Sequence, residues 1–317
     1  MGRKIRVGCR SNVLAIEQAR LVMAAIQQAE PDFEVQLITM PAVTESGQVA
    51  TTSQPINSRQ AATESIRNAA AAGQSSRADR RVLVRNLEQA LAASEIDIAV
   101  HNYADYPNEM NNDLPIVALS RREAANDVLV LPEGVDYVDT ARPVGTDNLR
   151  RSVQLLNILP DTETKPIRGN TITRLARLDL GEYSALVLSQ AELIRLGLAS
   201  RISRAFTISE MIPAGSQGII AVQARLDENC FYLSDYHSNE SEVVSLAERQ
   251  FLKTLAAFDQ STVAVYGELL DGMILLRGLL ISDHGVAVSD SLSARPEQAV
   301  QLGEQLATSL MEGLSAN

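Results

Sequence analysis

The chain begins with a short apolar run, IRVGC (5–9), bounded by charged residues, and this predicts a buried strand. SNVLAIEQARLVMAAIQQA then carries apolar residues at helical spacing behind Ser11 or Asn12 as a cap. FEVQLITM (33–40) reads as a second strand, so the start is a βαβ unit and predicts a parallel sheet. From Pro41 to Ala78 the pattern dissolves into Ala, Ser, Thr and Gln. That predicts a long mobile loop, 41–78, with some helix around 60–72; connections of this length are usually functional or disordered. VLVRNLEQALAAS (82–94) restores a helical pattern, IDIAVHN (96–102) a strand ending in YADYP, and LPIVALS (114–120) another strand.

A second unit starts near Arg122. DVLVLP and a strand at 143–146 lead into TDNLRRSVQLLNILP, a capped helix. TKPIRGNTITRLARLDLGEY reads as strand, glycine turn and helix, and SALVLSQAELIRLGL repeats strand and helix. MIPAGSQGIIAVQAR (211–225) is a glycine-containing turn into a strand. A helix over about 239–257, three strands (VAVYGEL, MILLRGLLIS, GVAVSDSLS) and a final helix over 296–313 complete the chain. The order predicts two α/β halves and a small α+β end domain, with ligands at the carboxyl ends of strands.

Composition narrows the class. A chain of 317 residues exceeds one ordinary core, so two or three domains are expected. Hydrophobic content of 45% and charged content of 21% are those of a soluble globular protein, and no apolar run is long enough to cross a bilayer. MGRKIRVGCR lacks the hydrophobic region of a signal peptide. Two cysteines without CxxC argue against a disulfide framework or structural zinc, and three histidines against a His-rich metal site. A cytoplasmic protein without membrane partners is expected, and a monomer. A net charge of −11 disfavours a general grip on nucleic acid. The basic residues are nonetheless unusual: of 28, only Lys4, Lys165 and Lys253 are lysines, and the rest are arginines. A guanidinium fork binds a carboxylate through two parallel hydrogen bonds, where lysine acts as a point charge.

Several arginines fall where ligands bind. Arg10 follows the first strand, Arg150 and Arg151 lie near a helix start, Arg168 ends a strand and Arg174 follows a short turn. If both halves face one cleft, four or five guanidinium groups line it, which suits a ligand with several carboxylates or phosphates. Solvated surface is the plain alternative for any single one. Neither GxxxxGK[ST] nor GxGxxG after a strand is present, so nucleotide binding has little support. Asp105 in HNYADYP either orients a proton and stabilises a cation, or is a turn carboxylate before Pro107. Gln217 and Gly218 in GSQG either offer backbone N–H groups to a ligand or make a turn. His101 reads as a satisfied strand-end histidine, Cys9 as facing the core, and Asp259, between an apolar helix and a strand, as a turn residue.

In their order, IRVGCRSNVLAIEQA, LVRNLEQALAASEIDIAVHNYADYP, PVGTDNLRRSVQLL, IRGNTITRLARLDLGEYSALVLSQAELIRLGL, PAGSQGIIAVQAR and AERQFLKTL resemble the porphobilinogen deaminase (hydroxymethylbilane synthase) family over nearly the whole chain. The resemblance implies two periplasmic-binding-protein-like α/β domains flanking a cleft, 1–118 plus 218–232 and 119–217, and a C-terminal α+β domain, 233–317. It implies a transferase that joins porphobilinogen units into a linear oligopyrrole with loss of ammonia. Asp105 matches the family's catalytic aspartate, which supports the cationic pyrrole and moves protons. Arg10, Arg150, Arg151, Arg168 and Arg174 match the arginines that bind acetate and propionate groups. The substrate positions extend to Asn12, Asn102, Arg80, Arg85, Thr146, Asp147, Asn148, Gly169, Gln217 and Gly218.

The departures from the family pattern are specific. HSxKDxP becomes HNYADYP, with Asn102 for Ser and Ala104 for Lys; GTSSLRR becomes GTDNLRR, with Asp147 and Asn148 for small hydroxyls that contact substrate. A carboxylate at 147 disfavours a bound propionate unless it meets an arginine. Arg80 and Arg85 stand in lysine-like positions. The family attaches a dipyrromethane primer through a cysteine in a GGCQ-like turn; here that turn reads AAFDQ and the position is Asp259. A carboxylate cannot form the thioether, so no covalent cofactor and no metal is expected. The leading expectation is a divergent enzyme without a covalent primer. The alternatives are ordinary hydroxymethylbilane synthase with an altered linkage, and a non-catalytic pyrrole or tetrapyrrole binder.

Overall fold

The computed structural model describes residues 3–40, 77–108, 111–258, 262–282 and 285–316, and side chains throughout these except 77–83. Asp259, the side chain of Arg80 and the 41–76 stretch lie outside the described residues. The chain falls into two compact units, residues 3–40, 77–123 and 218–242 in one, 124–217 and 243–316 in the other. Their elements are mixed α/β, with a small α+β body at the C-terminal end of the second.

In the first unit, β1 (Lys4–Arg10), α1 (Val13–Ala29) and β2 (Glu34–Met40) form the expected βαβ start, with β1 and β2 parallel from Lys4↔Glu34 to Arg10↔Met40. α2 (Arg77–Ala92) follows, then β3 (Ile98–Asn102) and β4 (Ile116–Leu119). The sheet order is β2-β1-β3-β10-β4, where β10 (Ile220–Ala224) arrives from far down the chain. β10 runs antiparallel to both β3 and β4, so the sheet is mixed rather than parallel. The reason is the route of the chain: only β1, β2 and β3 are joined by crossovers that keep one direction. Ile5, Val7, Ile98, Val100 and Val222 meet the α1 stripe of Ala15, Ala19, Val22 and Ile26 in one core.

The second unit repeats this wiring. β5 (Asp127–Val130), β6 (Val144–Gly145), α3 (Leu149–Ile158), β7 (Thr164–Lys165), α4 (Thr171–Asp179), β8 (Ala185–Ser189), α5 (Gln190–Arg195) and β9 (Arg204–Ala205) give the order β7-β6-β8-β5-β9. β6 is parallel to β7 and β8, and β5 is antiparallel to β8 and β9. In each sheet the chain steps first to one side and then to the other of one strand, β1 or β6, and the carboxyl ends there are where α/β sheets present ligand-binding loops. β7 stops at Lys165, so Arg168 lies beyond the strand rather than at its end.

The C-terminal body is an antiparallel meander of β11 (Val263–Leu270), β12 (Met273–Ile281) and β13 (Ala287–Ala294) packed on α6 (Asn239–Thr254) and α7 (Ala299–Ser315). α6 ends at Thr254, earlier than the apolar pattern predicts, because Leu255–Phe258 turn back with Phe258 N–H on the Leu255 carbonyl. Gly303 lets α7 lie against α6; a Cβ there would sit 2.2 Å from the Ala247 carbonyl oxygen. Glu248, fully buried on α6, accepts from the Ser216 and Gly267 N–H groups at 2.7 Å each and ties the 213–217 turn to β11. Among the described residues no helix is long and apolar enough to cross a membrane, and no group of three or more His, Cys, Asp or Glu is placed to hold a metal ion.

Candidate functional site

In the first unit the carboxyl ends of β1 and β3 build one hollow. Asn12 caps α1, its side-chain oxygen accepting from Ala15 N–H at 2.9 Å, which fixes the turn that follows Arg10, the last residue of β1. β3 ends in a single helical turn, Tyr103–Asp105. That turn brings Asp105 Oδ2 to 3.0 Å from the Asn102 amide, which donates to it, and to 3.8 Å from Arg10 Nη2. Asp105, Asn102, Arg10, Asn12, His101 and Gln18 all line the hollow. Four residues named from the sequence thus meet here: Arg10, Asn12, Asn102 and Asp105. Arg85 is exposed on α2 and does not line this hollow.

Gln18 is a residue the sequence reading did not single out. It is 1% exposed, and its Nε2 finds no hydrogen-bond partner. A buried amide without a partner, opening on the hollow, is a ready donor for a bound acceptor. Its signal was in the sequence: Gln18 sits on the buried stripe of α1 among Ala15, Ala19 and Val22, where an apolar residue is the default.

His101 is a structural member of this wall. Gln223 Nε2 donates to the Leu114 carbonyl at 2.8 Å and to the Tyr106 hydroxyl at 2.9 Å, so its Oε1 faces His101 Nε2 at 3.0 Å. His101 Nε2 therefore carries the proton. Burial pushes its pKa down to about 4; the Gln223 bond opposes this, and the Arg10 charge adds to it. Between about pH 4 and the unfolded value of 6.5 the unfolded chain binds the extra proton, so stability falls as pH drops through that window. Acidification from pH 7 to 4 should remove about 3 kcal/mol through this group, and urea titrations of His101→Phe should lack that component. An unchanged pH slope in the variant would reject the assignment.

The second unit holds the arginine group, and Asp127 is at its centre. Asp127 is fully buried at the start of β5. Its Oδ1 accepts from Arg151 Nη2 at 2.8 Å and Nε at 3.2 Å, and from Gln217 Nε2 at 3.0 Å, while Arg150 Nη1 lies 2.7 Å from Oδ2. Burial alone would raise the Asp127 carboxyl, but Arg150 and Arg151 outweigh it and hold the pKa low. Arg150 is 1% exposed; Nη1 donates to the Ile212 carbonyl at 2.6 Å, while Nε and Nη2 have no partner. The sequence reading missed Asp127. The available signal was a carboxylate opening the buried run DVLV, a position that requires a paired cation.

The turn between β6 and α3 repeats the β1–α1 solution: Asn148 caps α3, accepting from Arg151 N–H at 3.3 Å. Buried Thr146 accepts from Asn148 N–H through Oγ1 at 3.3 Å. Asp147 meets Arg174 end-on, with Nη1–Oδ1 at 3.1 Å and Nη2–Oδ2 at 2.9 Å, while Arg174 Nε donates to the Gly169 carbonyl at 2.8 Å. Gly169 takes φ +108°, where a Cβ would press on Thr173. Arg168 is exposed and makes no ion pair among the described residues. Gln217 N–H closes a turn on the Ala214 carbonyl, and its side chain also donates to the Ala125 carbonyl at 2.6 Å. Gly218, at φ +86°, belongs to the first unit, where a Cβ would stand 2.3 Å from the Glu123 carbonyl oxygen.

Neither cysteine offers a ready nucleophile. Cys9 is fully buried and its pKa is pushed up to about 11 by burial; burial raises the Cys230 thiol as well.

Comparison with known proteins is consistent along the chain. Residues 5–231 match the family model described as porphobilinogen deaminase, dipyromethane cofactor binding domain, and residues 243–312 match porphobilinogen deaminase, C-terminal domain. A porphobilinogen deaminase of Ruminiclostridium cellulolyticum is 40% identical over 305 residues, 96% of each chain. One of Acetivibrio thermocellus is 39% identical over 313 residues, 99% of this chain and 100% of that one. Among solved structures, the periplasmic aliphatic sulphonate binding protein SsuA from Escherichia coli is 12% identical with a TM-score of 0.36, covering 99% of this chain and 88% of that chain.

Proposed function

Because this chain belongs to the porphobilinogen deaminase family, whose members condense porphobilinogen into hydroxymethylbilane, we propose that it condenses porphobilinogen without a covalently attached dipyrromethane. The observation that carries the reading is Asp105, a carboxylate aimed by Asn102 and flanked by Arg10 in a hollow that also presents the Gln18 amide. In this reaction the aminomethyl C–N bond breaks and ammonia leaves. The methylene-pyrrole cation forms a C–C bond with the next ring, which then gives up its α-proton. Asp105 would stabilise the cation and receive that proton. Arg10, beside Asp105 in the same hollow, would hold a substrate carboxylate.

A dipyrromethane held here would rest on such contacts alone, since position 259 is aspartate and both thiols are raised by burial. A division into 1–118 with 218–232, 119–217 and 233–317, acting as a cytoplasmic monomer on pyrrole polycarboxylates, accords with this reading. Incubation with porphobilinogen followed by mass spectrometry tests it: substrate should be consumed while the denatured protein keeps its unmodified mass. An added mass equal to a dipyrrole would establish an altered covalent linkage instead. Tight tetrapyrrole binding without turnover would select a carrier instead.

A further inference from the structure

The arginine group of the second unit carries more of its own counter-charge than a carboxylate-binding site needs. Arg150 and Arg151 share the buried Asp127. Arg174 is taken end-on by Asp147, its Nε already committed to the Gly169 carbonyl. The Asp147 charge also reaches Arg151, whose pKa it helps to raise. Of Arg150, Arg151, Arg168 and Arg174, Arg168 alone makes no ion pair among the described residues.

We infer that Asp147 is a specificity-determining residue, an internal carboxylate that occupies Arg174 and disfavours a ligand carboxylate at that point. The inference rests on the reading of this group as a site for pyrrole carboxylates. Asp147 is placed for the role by backbone as well as by charge. It sits between Thr146 and the helix cap Asn148, which are bonded to one another, so its carboxylate is delivered to Arg174 by a fixed turn. The pair is only partly exposed, 18% for the Arg174 side chain and 39% for that of Asp147. A ligand carboxylate arriving at Arg174 must displace Asp147 or sit beside a like charge. A ligand presenting a neutral or hydrogen-bond-donating group there meets neither penalty. The favoured substrate class is thus a pyrrole with one carboxylate fewer at the Arg174 position, or one bound in a register that leaves Arg174 out.

Calorimetric titration of the full chain with two probes tests this: porphobilinogen, and citrate as a polycarboxylate without a pyrrole. Asp147→Asn keeps the shape and removes the charge, and should bind both probes about fivefold more tightly or better, the scale of one partly screened charge. Adding Arg174→Gln to that variant should erase the gain. Equal or weaker binding of both probes by Asp147→Asn would overturn the inference, and so would a gain that survives Arg174→Gln. Tighter citrate binding with no porphobilinogen binding would uphold the role of Asp147 while rejecting the pyrrole as ligand.

Discussion

Replacing Asp127 with alanine should destabilise the protein by about 3–5 kcal/mol, the range for breaking a buried ion pair from one side. The carboxylate is fully buried, and its loss strands Arg150, Arg151 and the Gln217 amide without their acceptor. Arg150 has no spare solvation to fall back on, since its Nε and Nη2 are already without partners. Asp127→Asn keeps the shape and should remain close to the alanine variant, because the lost quantity is charge. A double change of Asp127 and Arg150 to apolar residues of similar volume should recover part of the loss, since the desolvation of both ions disappears with them. Urea midpoints at constant m-value decide this. A loss below about 1 kcal/mol for Asp127→Ala would mean that the arginines relax to solvent and that the fold does not depend on this cluster.

The second large effect concerns rate. Asp105→Asn should lower porphobilinogen consumption by about 10²–10⁴-fold, the usual worth of a positioned acid–base group. The amide keeps a similar size and can still meet Asn102, but it holds neither charge nor an exchangeable acidic proton for the pyrrole cation. Binding of porphobilinogen, measured by calorimetry, should survive the change, because Arg10 and Gln18 remain in the hollow. A decrease of less than tenfold would remove Asp105 from the chemistry.

Much of the fold was legible because burial writes a periodic pattern. The α1 stripe, its Asn12 cap and the three C-terminal strands lie where alternation and helical spacing put them. The direction of β10 was not legible, because strand sense depends on a chain route that no local pattern encodes. At the site, Asp105, Arg10, Asn12 and Asn102 were found and do converge. The arginines were found as residues but not as pairs. Charge composition says how many guanidinium groups exist, whereas Asp127 and Asp147 decide which of them are already engaged. Asp127 hid at a strand start and Gln18 on a helix stripe, both recognisable only as polar residues where burial was predicted. Asp147 was noticed as a departure; it does meet an arginine, Arg174, but in doing so takes the group that a ligand carboxylate would use, a consequence that only the pairing reveals.

The shared wiring of the two sheets allows a division of labour. Both place a strand, an asparagine-capped helix and a parallel neighbour in the same order, so each presents one loop of the same construction at a strand's carboxyl end. The two loops carry different chemistry. At the end of β3 the first unit keeps a carboxylate beside an arginine, whereas at the end of the matching β8 the second runs straight into α5. The second has instead accumulated cations around the turn after β6 and supplied acids to tame them. The proposed chemistry and the proposed grip therefore fall in different units, so a change at Asp147 is expected to alter binding while leaving the Asp105 hollow as it is.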